Sequence, residues 1–175
     1  MSLDPRYPIG KFEAPKSYTS ELRAKLINDI AALPIAMRAA VSGLSDTQLE
    51  TPYRDGGWTV RQVAHHVPDS HVNAYVRMKL ALTETDPTVK PYDEARWAEL
   101  PDARTLPVEV SLTLLDSLHH RWTTMLRAMS EEQWQRHYVH PEYGKVTMEW
   151  VLAQYAWHGR HHTAQITTLR AQKQW

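Results

Sequence analysis

The sequence contains no cysteine. Disulfides, thiolate zinc ligands and a cysteine nucleophile are therefore excluded, and any metal must be held by histidine, aspartate or glutamate. No apolar run approaches the length of a membrane span, so no membrane partner is expected. An excess of either charge is also missing: 20 Lys and Arg stand against 20 Asp and Glu, for a formal net charge of zero. A nucleic-acid binder needs a basic footprint to displace counterions, and a polybasic membrane anchor needs the same excess. Neither function is expected. The first residues, Met1-Ser2-Leu3-Asp4-Pro5-Arg6, lack the basic-then-apolar layout of a signal peptide, which makes a cytoplasmic location the simplest expectation. Glycine is scarce, at 6 of 175 residues, and Phe12 is the only phenylalanine. With little β-branched alternation, these shortages favour an all-α domain. The length suits one domain over residues 1–175 with a substantial core.

Histidine and tryptophan are abundant, at 10 and 7 residues. The most informative stretch is Trp157-His158-Gly159-Arg160-His161-His162-Thr163-Ala164-Gln165. It places His158 and His162 four residues apart in a segment that reads as helix, and residues so spaced share one helical face. Val151, Tyr155, Ile166 and Leu169 form the apolar stripe of that helix, and both histidines fall within roughly 40° of its centre. A core-facing imidazole is costly unless both its nitrogens are satisfied. One inward histidine is usually a hydrogen-bonded core residue. An inward pair at i, i+4 favours a shared transition-metal ion with its outer partners. No glutamate lies between them, so this is not the H-E-x-x-H pattern of zinc peptidases. Arg160 points away from the pair and receives no catalytic role.

Periodicity predicts four helices. Residues 1–17, with Pro5, Pro8 and Pro15, read as an extended surface arm. The first helix spans residues 19–41 on Leu22, Leu26, Ile30, Leu33, Met37 and Val41, with Pro34 expected to kink or break it. The second starts at a capping box of Thr59 and Gln62, with Trp58 and Val63 as a hydrophobic staple, and runs to about residue 83 through a bend at Pro68. Residues 84–104 hold no clear period and read as a loop, a candidate lid or site wall. The third helix runs from about residue 105 to 129, with Pro107 in its first turn. Residues 138–146 suggest a turn or short hairpin. The fourth helix runs from 147 to about 172, with Val146 and Val151 as a second staple. Four amphipathic helices in one small domain imply a four-helix bundle.

Two histidines seldom complete a catalytic metal site, which usually has three protein ligands and an open position. The second helix carries Ala64-His65-His66-Val67-Pro68-Asp69-Ser70-His71. On the helical wheel His71 points closest to the apolar stripe, His66 lies at its edge, roughly 100° from the centre, and His65 points nearly opposite, towards solvent. The wheel does not select His66. His119 and His120 in the third helix, and His137 and His140 near the turn, are further candidates. Asp69 lies one turn from His65 and His66, where it could orient a ligand's free ring N–H. Tyr138, His140 and Tyr143 are candidate pocket walls.

Trp58-Thr59-Val60-Arg61-Gln62-Val63-Ala64-His65-His66-Val67-Pro68-Asp69-Ser70-His71, followed by Trp157-His158-Gly159-Arg160-His161-His162, resembles the DinB-like superfamily, and within it the YfiT-like group of metal-dependent hydrolases. Arg6-Tyr7-Pro8-Ile9-Gly10-Lys11-Phe12, Lys79-Leu80-Ala81-Leu82-Thr83-Glu84 and Lys90-Pro91-Tyr92 resemble it too, so the likeness covers essentially the whole chain. It implies a four-helix bundle, a homodimer and a three-histidine site for one divalent metal ion, zinc first and nickel second. The matching positions are His66, His158 and His162. Pro68 departs from the small residue expected there, such as alanine. The resemblance implies a hydrolase that activates water against a small-molecule substrate. Relatives that are bacillithiol or mycothiol S-transferases supply an alternative, in which the same ion activates a low-molecular-weight thiol. A bundle merely stabilised by its metal is the third reading, and a fourth protein ligand would be its mark.

Overall fold

The computed structural model describes residues 4–175. Four long helices dominate: α1 (Ser20–Val41), α3 (Val60–Thr83), α6 (Val108–Arg127) and α8 (Met148–Lys173). Short helices α2 (Asp46–Leu49), α4 (Glu94–Trp97), α5 (Pro101–Thr105) and α7 (Glu131–Trp134) lie in the connections. A two-stranded antiparallel hairpin, β1 (His137–His140) and β2 (Gly144–Thr147), precedes α8 and pairs Tyr138 with Val146. Among the described residues no helix is long and apolar enough to cross a membrane.

The helix starts follow from local chemistry. Thr59 accepts the Gln62 N–H at 3.1 Å and Gln62 Oε1 accepts the Thr59 N–H at 3.0 Å, so two otherwise orphan donors of α3 are satisfied reciprocally. Thr19 and Thr147 cap α1 and α8 through their hydroxyls. Pro34 and Pro68 lie inside α1 and α3, and both helices continue through them. The break occurs at Pro107 instead. It restricts the residue before it to extended backbone, and Leu106 adopts φ −71°, ψ 150°. The third helix, expected from about residue 105, therefore begins at Val108 with Pro107 as its N-cap, and α5 is a separate short helix ahead of it. The stretch 84–104 is also more ordered than its composition suggested. It holds α4 and most of α5, and the Val89 N–H donates to the Val139 carbonyl at 3.0 Å.

Around the bundle the order is α1, α6, α3, α8: α1 and α3 each pack against both α6 and α8. The core has two apolar clusters. One gathers Ile30, Met78, Trp122 and Leu152, and the other Leu33, Met37, Val63, Leu115 and Ile166. On α3, α6 and α8 the residues between the clusters include His71, His119, His158 and His162. A polar layer therefore crosses the bundle between two dry halves. Buried Arg23 bonds Glu131 and Glu149, tying α1 to α7 and α8.

Gly159 is the contact point between α8 and α1. A Cβ there would overlap the Leu33 side chain, which is itself buried. Gly159→Val should force the helices apart beside the histidine pair and cost about 1–3 kcal/mol. Denaturant unfolding should show a reduced midpoint, and an unchanged midpoint would contradict the close approach.

Candidate metal centre

Three histidines converge where α3 faces α8. His66, His158 and His162 each offer a ring nitrogen, and these atoms all lie within 4.8 Å of one another. Nitrogens bound to one zinc ion at about 2.1 Å can be no more than about 4.2 Å apart, so a small closure would bring all three to bonding distance. The rings pack face and edge, with centroids 4.4 Å apart for His158–His162 and 4.8 Å for His66–His162. Trp58, just before α3, lies against His66 at 4.6 Å.

Electrostatics suit a cation. Burial pushes His66 down to about 4, and burial with the neighbouring imidazoles holds His158 and His162 well below the usual histidine range. All three are neutral at pH 7, the form that coordinates a metal. In His158 and His162 the nitrogen turned away from the cluster is also bonded. His162 Nδ1 meets Gln165 Oε1 at 2.8 Å, and Gln165 Nε2 meets His161 Nε2 at 3.1 Å. His158 Nδ1 meets His71 Nε2 at 3.1 Å. These are the outer contacts that orient metal-binding imidazoles, and the donor set fits a divalent ion.

The other candidates are distributed differently. His71, favoured by the wheel, is indeed inward and fully buried, but it stands behind His158. His119 stands behind His71, with His71 Nδ1 and His119 Nε2 at 2.9 Å. His120 is exposed, and His137 pairs with Asp86 at 2.9 Å. His65 is not solvated as its wheel position implied. It is 4% exposed, with Ser111 Oγ at 2.7 Å and the Leu106 carbonyl at 3.1 Å. The break at Pro107 brings that carbonyl over α3, which helical periodicity does not anticipate. Asp69 is not an orienting partner of the site histidines among the described residues. Burial and Asp102 raise its carboxyl to about 6, and its main-chain carbonyl accepts from Asn73. Gln165 was missed, although its i, i+3 spacing from His162 was the available signal. Arg160 pairs with Asp29 on α1 at 3.1 Å, away from the cluster.

Two clefts meet at His158. The first, about 560 Å³, is lined by the three histidines, Trp58, and Arg6 and Arg54. The second, about 400 Å³, is lined by Tyr92, Tyr138, Tyr155, His140 and Arg77. Glu94, Tyr143 and Gln154 line both. Tyr138, His140 and Tyr143 thus form walls. Burial raises the Tyr138 and Tyr155 phenols, which therefore stay protonated and can donate. The N-terminal arm closes one side of the first cleft: Phe12 packs on Trp150 and Trp157 at 5.5 and 5.9 Å, and Tyr7 approaches His161 at 6.0 Å.

Residues 29–166 match the model of the DinB superfamily. The chain belongs to that superfamily. It is 52% identical over 172 residues to a Bacillus cereus protein named "Putative metal-dependent hydrolase", covering 98% of this chain and 99% of the relative. A Bacillus mycoides protein with the same description is equally similar. Among solved structures, YfiT from Bacillus subtilis, described as "a probable metal-dependent hydrolase with an unusual four-helix bundle topology", superposes with a TM-score of 0.95. It is 45% identical, with 98% of each chain covered. TT2238, a four-helix bundle protein, is 22% identical with a TM-score of 0.57 over 85% of this chain and 98% of its own, and is similar in fold alone.

The buried histidines make stability depend on pH. Burial lowers His119 to about 4, opposed in part by its bond to a main-chain carbonyl, and His66 also lies at about 4. In the unfolded chain both titrate near 6.5. Between pH 6.5 and 4 the unfolded state takes up protons that the folded state refuses, so stability falls as pH falls. Metal-free protein should show a Tm that declines steadily across that window, whereas a flat profile would contradict the assigned neutral state.

Proposed function

We propose that this protein is a metal-dependent hydrolase of small molecules, in which His66, His158 and His162 hold one divalent ion, zinc in the first place and nickel in the second. The observation that carries this reading is the three-histidine cluster, with His66 and His162 buried and His158 partly so, beside a cleft of about 560 Å³. A purely stabilising ion calls for a closing fourth protein ligand, and among the described residues the cluster comprises three. The names borne by the relatives support the same reading. A divalent ion supplies Lewis acidity there, which makes water or a thiol a nucleophile near neutral pH.

The chain's own side chains do the rest. Gln165 and His71 hold His162 and His158 in place. Trp58 packs against His66 at 4.6 Å and limits the room for that ring to turn. The first cleft is large enough for a compact organic substrate, and Arg6 and Arg54 give its lining a positive side. Protonated phenols in the second cleft offer hydrogen bonds to polar parts of a substrate that extends past His158. We place the protein in the cytoplasm as a homodimer. Exposed Val110 and Leu114, one turn apart on α6, together with exposed Ile35 on α1, support an apolar face for a second copy.

Metal analysis of the purified protein and of His66→Ala, His158→Ala and His162→Ala tests the site. The wild type should carry one ion per chain and each variant should lose it, whereas full occupancy in all three variants would refute the assignment. Esters and amides, assayed with and without a low-molecular-weight thiol, then define the reaction. Turnover without thiol, abolished by chelation and restored by zinc or nickel, is expected. Turnover that appears only with thiol and an electrophile would make the protein an S-transferase. Light scattering should find twice the 20.2 kDa chain mass; a monomer at micromolar concentration would refute the dimer.

A further inference from the structure

Behind His158 runs a chain of imidazoles that ends at a main-chain carbonyl. His158 Nδ1 lies 3.1 Å from His71 Nε2, His71 Nδ1 lies 2.9 Å from His119 Nε2, and His119 Nδ1 lies 2.6 Å from the Ile30 carbonyl oxygen. His71 and His119 are 0% and 1% exposed. The three bonds cross the whole bundle, from α8 through α3 and α6 to α1.

The hydrogens in this chain can be placed by counting. A carbonyl oxygen only accepts, so His119 Nδ1 must carry a hydrogen. A neutral imidazole has one N–H, so His119 Nε2 is an acceptor and His71 Nδ1 must donate to it. By the same step His71 Nε2 accepts and His158 Nδ1 donates. Three bonds use three hydrogens, one from each neutral ring. The lone pair left on His158 is at Nε2, which the Ser70 hydroxyl approaches only at the long distance of 3.5 Å.

The carbonyl that fixes the direction is itself free for a reason visible in the sequence. In an α-helix the carbonyl of residue 30 would accept from the N–H of residue 34. Residue 34 is Pro34, which has no N–H. Pro34 leaves the helix unbroken and turns one of its carbonyls into a buried acceptor, which His119 occupies.

We propose that His71 and His119 are positioning residues, and that the Pro34-freed carbonyl of Ile30 sets, through them, the tautomer in which His158 presents Nε2 to the metal. The proposal rests on the three-histidine metal site described above. It gives functions to two buried histidines that bind no ion and to a proline inside a helix. Loss of outer hydrogen-bond partners lowers metal affinity by about 10–100-fold in comparable sites.

The test is long-range proton–nitrogen NMR on full-length metal-free protein labelled with ¹⁵N-histidine. His158, His71 and His119 should each show a protonated Nδ1 and a bare Nε2. An Nε2–H form dominant at any of the three would overturn the relay whatever the metal does. His119→Phe is the second measurement, because it removes the acceptor of His71 without touching His158. The folded variant should show a mixed tautomer at His158 and a zinc affinity lowered about 10-fold. A residue that only filled space would leave both unchanged, and that result in a folded variant would refute the positioning role. If His119→Phe fails to fold, the wild-type tautomers still decide. Wild-type protein with the Nδ1–H pattern but no zinc affinity would overturn the metal reading and leave the hydrogen-bond relay intact.

Discussion

A layer of imidazoles crosses the bundle between its two apolar clusters, and the ring nitrogens that are buried there have left water and need partners. An unsatisfied buried donor or acceptor costs about 1–3 kcal/mol, so several such rings could not be carried without a bonding scheme. The protein uses three devices. Backbone and side-chain partners take the outward nitrogens, as Gln165 does for His162. Rings take each other, as in the run from His158 to His119. One nitrogen each of His66, His158 and His162 remains, and these lie within 4.8 Å of one another, a small closure away from sharing a cation.

The layer also explains what could be read from the amino-acid string. Helical spacing exposed the His158–His162 pair, because both positions lie on the apolar stripe of a long helix. The same wheel found His71 inward but could not say what it would meet, since that depends on which helix stands opposite. His66 came from resemblance, because a wheel angle measured through a helix containing Pro68 does not resolve a stripe's edge from its centre. His65 looked solvated for want of knowing that the α5–α6 corner folds over α3. Pro34 was legible as an interruption, yet its effect is chemical and lies on the carbonyl four residues earlier. The capping boxes and the hairpin were legible because they are local. Ring order and the two clefts were not, because they depend on long connections that crossing patterns alone do not encode.

Rigid and irregular parts divide the labour. The bundle supplies the imidazoles from long, doubly packed helices, which limits their movement. The clefts are walled mostly by the N-terminal arm, the loop before α3, α4 and the hairpin. Loops on a rigid scaffold are where specificity most readily varies. Members of such a family can therefore keep one reactive centre while changing what reaches it.

Arg6 and Tyr7 line the first cleft, so the N-terminal arm reaches the neighbourhood of the histidine cluster. A polyhistidine purification handle at that end would bring competing imidazoles, and the metal they scavenge, next to the native ligands. Trp175 lies 13 residues beyond His162, roughly 20 Å along the helical rise. The carboxyl end is the better place for any appended sequence, and metal content measured on amino-terminally tagged material would count the handle as well as the protein.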